Sequence, residues 1–168
     1  RRASMAAMMR AGSGLSLLPD PSAAGREAAA AAVAGCGGEA REVLVFASHH
    51  HAARLGEVVA GVRAAAGAAR VVAGTGYGAL TDAREIEEAE AVAVLAIAGD
   101  ALAMRPALGV PEPGVAGPLV LLPGPDAGWP EDLLAKLGDA GPVFGAGLSG
   151  PWDGPAVAID GTVVPGGT

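Results

Sequence analysis

The sequence predicts an α/β domain with a central sheet flanked by helices, and three observations point there. The apolar runs Glu42-Val43-Leu44-Val45-Phe46-Ala47 and Leu119-Val120-Leu121-Leu122 have the length of strands and lack the alternation of a half-exposed sheet. They read as strands covered on both faces. From Glu42 to Ala73 the chain reads strand, helix, strand over about 30 residues, the length of a βαβ unit. The arrangement also recurs: residues 43–98 match residues 119–160 in order, each with a buried strand, a loop, an amphipathic helix, a strand running into glycines and a further strand. Two pseudo-repeated βαββ halves follow, and a four-layer αββα sandwich is an architecture such a duplication allows.

Residues 1–10 are set apart from a domain spanning 11–168. Arg1, Arg2 and Arg10 precede the first acid, Asp20, with Ser and Ala between them, a composition like that of a transit-peptide remnant. Ser13 to Pro21 reads as an extended lead-in and turn. Asp20-Pro21-Ser22 then opens a helix, since Asp or Ser caps the first turn and Pro is tolerated in it. The alanines carry it to about Ala34, and Gly35 and Gly37-Gly38 stop it.

After the strand at 42–47 come Ser48 and three consecutive histidines, His49, His50 and His51. A helix is expected from about Ala52 to Ala66, with Leu55, Val58, Val59 and Val62 on one face. Arg70 to Ala73 is the next strand, and it runs into Gly74-Thr75-Gly76-Tyr77-Gly78. Glycines at alternate positions predict a sharp turn with positive φ, or a close approach to a ligand. Residues 79–90 carry Asp82, Arg84, Glu85, Glu87 and Glu88 and fit neither period well. A strand at 90–98 follows, and the proline-rich stretch 101–117 reads as irregular connection. In the second half, Leu119–Leu122 is a strand ending at Pro123-Gly124-Pro125-Asp126. Pro130 opens a helix to Gly138, and Val143-Phe144 runs into Gly145-Ala146-Gly147-Leu148-Ser149-Gly150. Ala156–Ile159 and Thr162–Val164 form a hairpin about Asp160-Gly161.

Charge and cysteine content exclude several function classes. With a net charge of −7 and no basic cluster in the body of the chain, nucleic-acid binding by counterion release is not expected. A single cysteine, Cys36, excludes an internal disulfide and fits a reducing, cytoplasmic compartment. No apolar run reaches the roughly 20 residues of a membrane span.

The expected site is one hollow between two strand-to-glycine turns. Backbone amides of Gly74, Gly76 and Gly147, with the hydroxyls of Thr75 and Ser149, would hold an anionic group. Ser48, His49, Tyr77 and Asp126 lie at or beside strand ends, the usual ligand edge of an α/β sheet, and Glu87 would neutralise a ligand amine. Adjacent histidines point apart, which argues against one shared metal, and no cofactor is expected. Gly-x-Ser at 147–149 lacks the spacing of a nucleophile elbow, so a Ser/His-dependent enzyme stands only as an alternative. So does a dinucleotide fold, on Gly74-x-Gly76-x-x-Ala79 with Asp100 downstream.

Several of these motifs together resemble the N-terminal FIST domain (F-box and intracellular signal transduction). They are Gly14-Leu15-Ser16 with Asp20-Pro21, Leu44-Val45-Phe46-Ala47-Ser48, Val71-Val72-Ala73-Gly74-Thr75, and Arg84-Glu85-Ile86-Glu87 before Ala93-Val94-Leu95. Phe144-Gly145-Ala146-Gly147-Leu148-Ser149-Gly150 and Asp160-Gly161 complete the set. The resemblance spans about Ala11 to the end. It implies a sensory domain for a small ligand, amino acids among the candidates. It also implies a longer protein in which a C-terminal FIST domain, absent here, or an F-box or signalling module is the partner. A protein-interaction adaptor related to F-box proteins is the alternative it carries. Where the family reads Gly-Cys-Thr or Gly-Cys-Ser, this chain has Ala73-Gly74-Thr75, so no thiol acts there.

Overall fold

A computed structural model describes residues 9–99, 103–106, 109, 117–123, 135, 137, 142–145, 147–148 and 156–165. They form a mixed α/β fold around a six-stranded sheet. Its strands are β1 (Arg10–Ser16), β2 (Ala40–Ser48), β3 (Arg70–Gly76), β6 (Val92–Ala98), β9 (Ala156–Ile159) and β10 (Thr162–Pro165), in the spatial order β1-β6-β2-β3-β9-β10. Two short pairs stand apart from it: the antiparallel hairpin β4 (Gly78–Leu80) and β5 (Glu85–Glu87), and the parallel pair β7 (Leu119–Leu121) and β8 (Val143–Gly145). β2 and β3 are the parallel pair of the main sheet, joined through helix α2 (Leu55–Ala66) as the βαβ spacing requires; the other neighbours are antiparallel.

Helix α1 (Pro21–Cys36) starts where the sequence predicts. Pro21 occupies the first turn, and the Asp20 carboxylate accepts a hydrogen bond from the Ala23 amide at 2.7 Å. It stops at Gly37, whose φ of 63° is the left-handed conformation of a C-cap. Its buried side is Ala24, Ala28, Ala29, Ala32 and Cys36. That stripe and Val58, Val59 and Val62 of α2 cover the sheet face formed by Val43, Val45, Val71, Val92, Val94 and Ala96. Cys36 is buried, and its thiol donates to the carbonyls of Val33 and Gly38.

Backbone replaces side chains at the helix contacts. A Cβ at Gly25 would lie 2.2 Å from the Val58 carbonyl oxygen, and one at Gly61 would lie 2.0 Å from that of Ser22. The two helices therefore cross glycine on backbone, each way. Gly12 and Gly14 of β1 sit as tightly under α1, 2.3 Å from the Ala32 oxygen and 2.1 Å from the Ala28 oxygen by the same measure.

The sheet's other face is thinner. Leu44, Phe46, Val72, Leu95 and Ile97 are half-buried there. The β4–β5 hairpin lies over one part of it, with Ala79 and Ile86 against Ala93 and Leu15. Ser13 donates to Asp82, tying the hairpin tip to β1. Leu122 and Leu148 lie over another part, at Gly74.

Four expectations change. Residues 13–16 belong to an edge strand beginning at Arg10, not to a lead-in. The strand at 70–73 continues through Gly74-Thr75-Gly76, in register with Phe46-Ala47-Ser48 of β2. Gly74, Gly76 and Gly78 all avoid positive φ, and at Gly74 and Gly78 a Cβ would meet a close neighbour, so these two serve close packing instead of a turn. The charged segment after them, which fits neither period clearly, forms a hairpin, so the helix that the dinucleotide alternative needs is not there. Val120, expected in a buried strand, is 53% exposed. At the far end the prediction holds: Asp160 and Gly161 both have positive φ, 49° and 92°, and form the two-residue turn between β9 and β10. The predicted helix at 130–138 lies almost wholly outside the described residues, of which Leu137 is buried.

Candidate functional site

β2 and β3 end side by side, with Ser48 opposite Gly76, so the residues that follow them share one edge of the sheet. Ser48 is turned inward. It is fully buried, its amide donates to the Ala91 carbonyl at 2.8 Å, and its hydroxyl accepts from the Ala91 amide at 3.0 Å. Its role there is to anchor the entry to β6. Thr75 is also fully buried. Gly74 lies within the β2–β3–β9 ladder, opposite Phe46 and Val157, and a Cβ there would come 2.7 Å from the Leu148 side chain. The extended backbone at 74–76 is engaged in the sheet, and Leu148 fills the space over Gly74 where the expected hollow would open.

The second glycine segment does come to the first. The Leu148 amide donates to the Pro123 carbonyl at 2.8 Å, which fixes the leucine that covers Gly74. Gly147 beside it is exposed. Asp126 and Ser149, both expected in the site, lie outside the described residues, as does Asp100 of the dinucleotide alternative.

The three histidines form the start of a 3-10 helix, His49–Arg54, between β2 and α2. The rings of His49 and His50 lie 4.0 Å apart, and the Tyr77 ring meets that of His49 edge to face, 5.5 Å between centroids and tilted by 64°. His51 points inward and is 3% exposed. Burial holds its imidazole below the ordinary value of 6.5. The Glu90 carboxylate opposes that shift, His50 and Arg54 reinforce it, and Asp20 opposes it weakly. Nδ1 of His49 and Nε2 of His51 are buried without a hydrogen-bond partner. No group of three or more metal-ligating side chains occurs among the described residues.

Beyond Tyr77 the surface opens into a cleft of about 420 Å³ on the β4–β5 hairpin. Tyr77, Leu80, Glu85, Ile86, Glu87 and Glu88 line it, and among the described residues no basic side chain does. Glu85 and Glu87, two apart on one strand, share the outer face, while Ile86 turns to the sheet. Glu88 follows with a φ of 54°, a left-handed conformation that a non-glycine residue seldom takes. Gly78, opposite Glu87, lets the two strands close up, since a Cβ there would sit 2.3 Å from the Ile86 carbonyl oxygen. Tyr77 is 71% exposed. An aromatic ring beside three carboxylates suits an ammonium or guanidinium group, held by charge and by the ring face. The charge of the described lining residues is negative, whereas the expected site was one of amides holding an anion.

Tyr77 and Glu87 are thus the two expected site residues that meet in one cleft, and His49 touches the first of them. Leu80, Glu85, Ile86 and Glu88 were not anticipated as partners. The available signal was the turn-like Thr81-Asp82-Ala83-Arg84 followed by the alternation Glu85-Ile86-Glu87. Compared with protein-family models, curated proteins and solved structures, the chain matches none.

Proposed function

We propose that this chain is a small-ligand-binding sensory domain of the FIST N-terminal type, and that its ligand carries an amine, as an amino acid does. The observation that supports this is the cleft, in which Tyr77 stands beside Glu85, Glu87 and Glu88 with no basic residue among the described lining groups. The ligand's ammonium group docks between the Tyr77 ring and the Glu87 carboxylate, and Leu80 and Ile86 contact its apolar part. In the longer protein, a C-terminal FIST domain or an F-box or signalling module receives the signal. The compartment is cytoplasmic. No described helix is long and apolar enough to cross a membrane.

The duplication belongs to the same proposal. β7 and β8 pair in parallel, as β2 and β3 do, which supports two βαββ halves and the four-layer αββα arrangement they would build. A second reading, a protein-interaction adaptor, is favoured by one feature: Val120 and Phe144 are neighbours on that pair and are 53% and 62% exposed. Calorimetry against a panel of amino acids and simple amines tests the first reading. Saturable binding of cationic members is expected, and no heat with no thermal shift across the panel would overturn it. For the adaptor, a partner retained by the wild type and lost with Phe144→Asp is expected.

A further inference from the structure

We propose that the 3-10 turn His49–Arg54 is a proton-operated latch, closed while the buried His51 is neutral and opened when acidification charges it, which frees Tyr77 from the ring of His49. This inference does not rest on the ligand reading. The turn is the only covalent link between β2 and α2, and it packs against the end of β3 from which Tyr77 emerges. Two of its ring nitrogens, His49 Nδ1 and His51 Nε2, are buried with no hydrogen-bond partner among the described residues. A neutral imidazole tolerates this, because one nitrogen carries only a lone pair. An imidazolium does not, since both nitrogens become charged donors and one is left unmade in a desolvated place.

The neighbours are too weakly placed to reverse this. Facing His51 from other elements are the exposed carboxylates of Asp20, at the N-cap of α1, and Glu90, ahead of β6. From its own turn come His50 and Arg54, both opposing protonation. On α2, the Glu57 carboxylate is already held by Arg54 through two hydrogen bonds of 2.7 and 2.6 Å. β3 ends here in Thr75 and Gly76, and β2 in Ala47 and Ser48, none of them ionisable in this range. Since His51 binds its proton less readily folded than unfolded, stability is full above about 6.5 and declines as pH falls below it. The decline levels off once pH passes under the folded-state value.

The experiment is a pH series from 8 to 5 on the full chain, read by imidazole and tyrosine ring NMR and by urea unfolding. Tyr77 is the sole tyrosine, so its ring signals are unambiguous. Expected are a His51 titration below 6.5, a Tyr77 shift that follows it, and an unfolding constant that rises by up to about tenfold per pH unit in that window. His51→Leu should remove one proton's worth of that slope. If this variant does not fold, the wild type still decides the matter. Amides of residues 50–55, corrected for intrinsic rates, should exchange faster at pH 5.5 than at 7.5, relative to those of α1. His51 titrating at or above 6.5, or Tyr77 signals unmoved through its titration, would overturn the latch.

Discussion

Asp20 carries two roles in one carboxylate. It accepts the Ala23 amide at the start of α1, and it is one of the two acids facing His51. Asp20→Ala should lower stability by about 1 kcal/mol through the lost cap, measured as a drop in urea midpoint at pH 7.5. The same variant should deepen the acid sensitivity of the fold, because an opposing carboxylate is gone. Tyr77 and Glu87 are the residues on which the ligand proposal turns. Tyr77→Ala should weaken binding of a cationic amine by roughly 0.5–2 kcal/mol, the range of an aromatic–cation contact, with little change in thermal midpoint because the ring is 71% exposed. Glu87→Gln keeps the shape of the side chain and removes its charge. It should weaken cationic members of the panel and leave neutral ones unchanged, which calorimetry separates.

Among the elements, legibility follows how local the cause is. α1 could be read because its determinants, Asp20-Pro21 and the alanine run, act within one or two turns. The β9–β10 hairpin could be read because Asp160-Gly161 is itself the turn. β1 could not, since Ala11-Gly12-Ser13-Gly14 is poor strand sequence. Its glycines answer to helix backbone lying across them, a contact no local pattern announces. The glycines after Ala73 were legible as a place where something comes close, but the approaching group is a leucine far along the chain rather than a ligand. The helix crossing offers a sharp test. Gly61→Ala would normally favour a helix by about 1 kcal/mol. Here the added Cβ meets the Ser22 carbonyl oxygen at 2.0 Å, so the variant should lose roughly 1–3 kcal/mol or more. Gly67→Ala, where nothing lies within 4 Å and φ is 64°, should lose about 1–2 kcal/mol from backbone conformation alone. A midpoint for Gly61→Ala above wild type would mean the helices are not in backbone contact.

Across the whole molecule, the late part of the chain is bound to the early part through the sheet and through a side chain laid over it. β9 pairs with β3, where Asp160 accepts the Val71 amide at 3.0 Å, and Leu148 covers Gly74. The second contact makes a double-mutant prediction. Leu148→Ala should cost about 2–5 kcal/mol as a buried truncation. Gly74→Ala should cost less, since the atom it meets is the end of a flexible side chain. Together they should cost less than their sum by 0.5–3 kcal/mol, the mark of residues in contact; strict additivity would separate the two. The α/β class was legible because it rests on apolar runs and their spacing. The strand order was not, because nothing in Val92–Ala98 states that it inserts between β1 and β2. That insertion also governs synthesis. When β1 leaves the ribosome, the strand it needs is still untranslated, on the order of ten seconds away at usual elongation rates. Through that interval the nascent β2 keeps an open flank, and α1 has no finished surface to settle on. Chaperone dependence during translation should therefore be greatest before Ala98 emerges, and fall sharply after it.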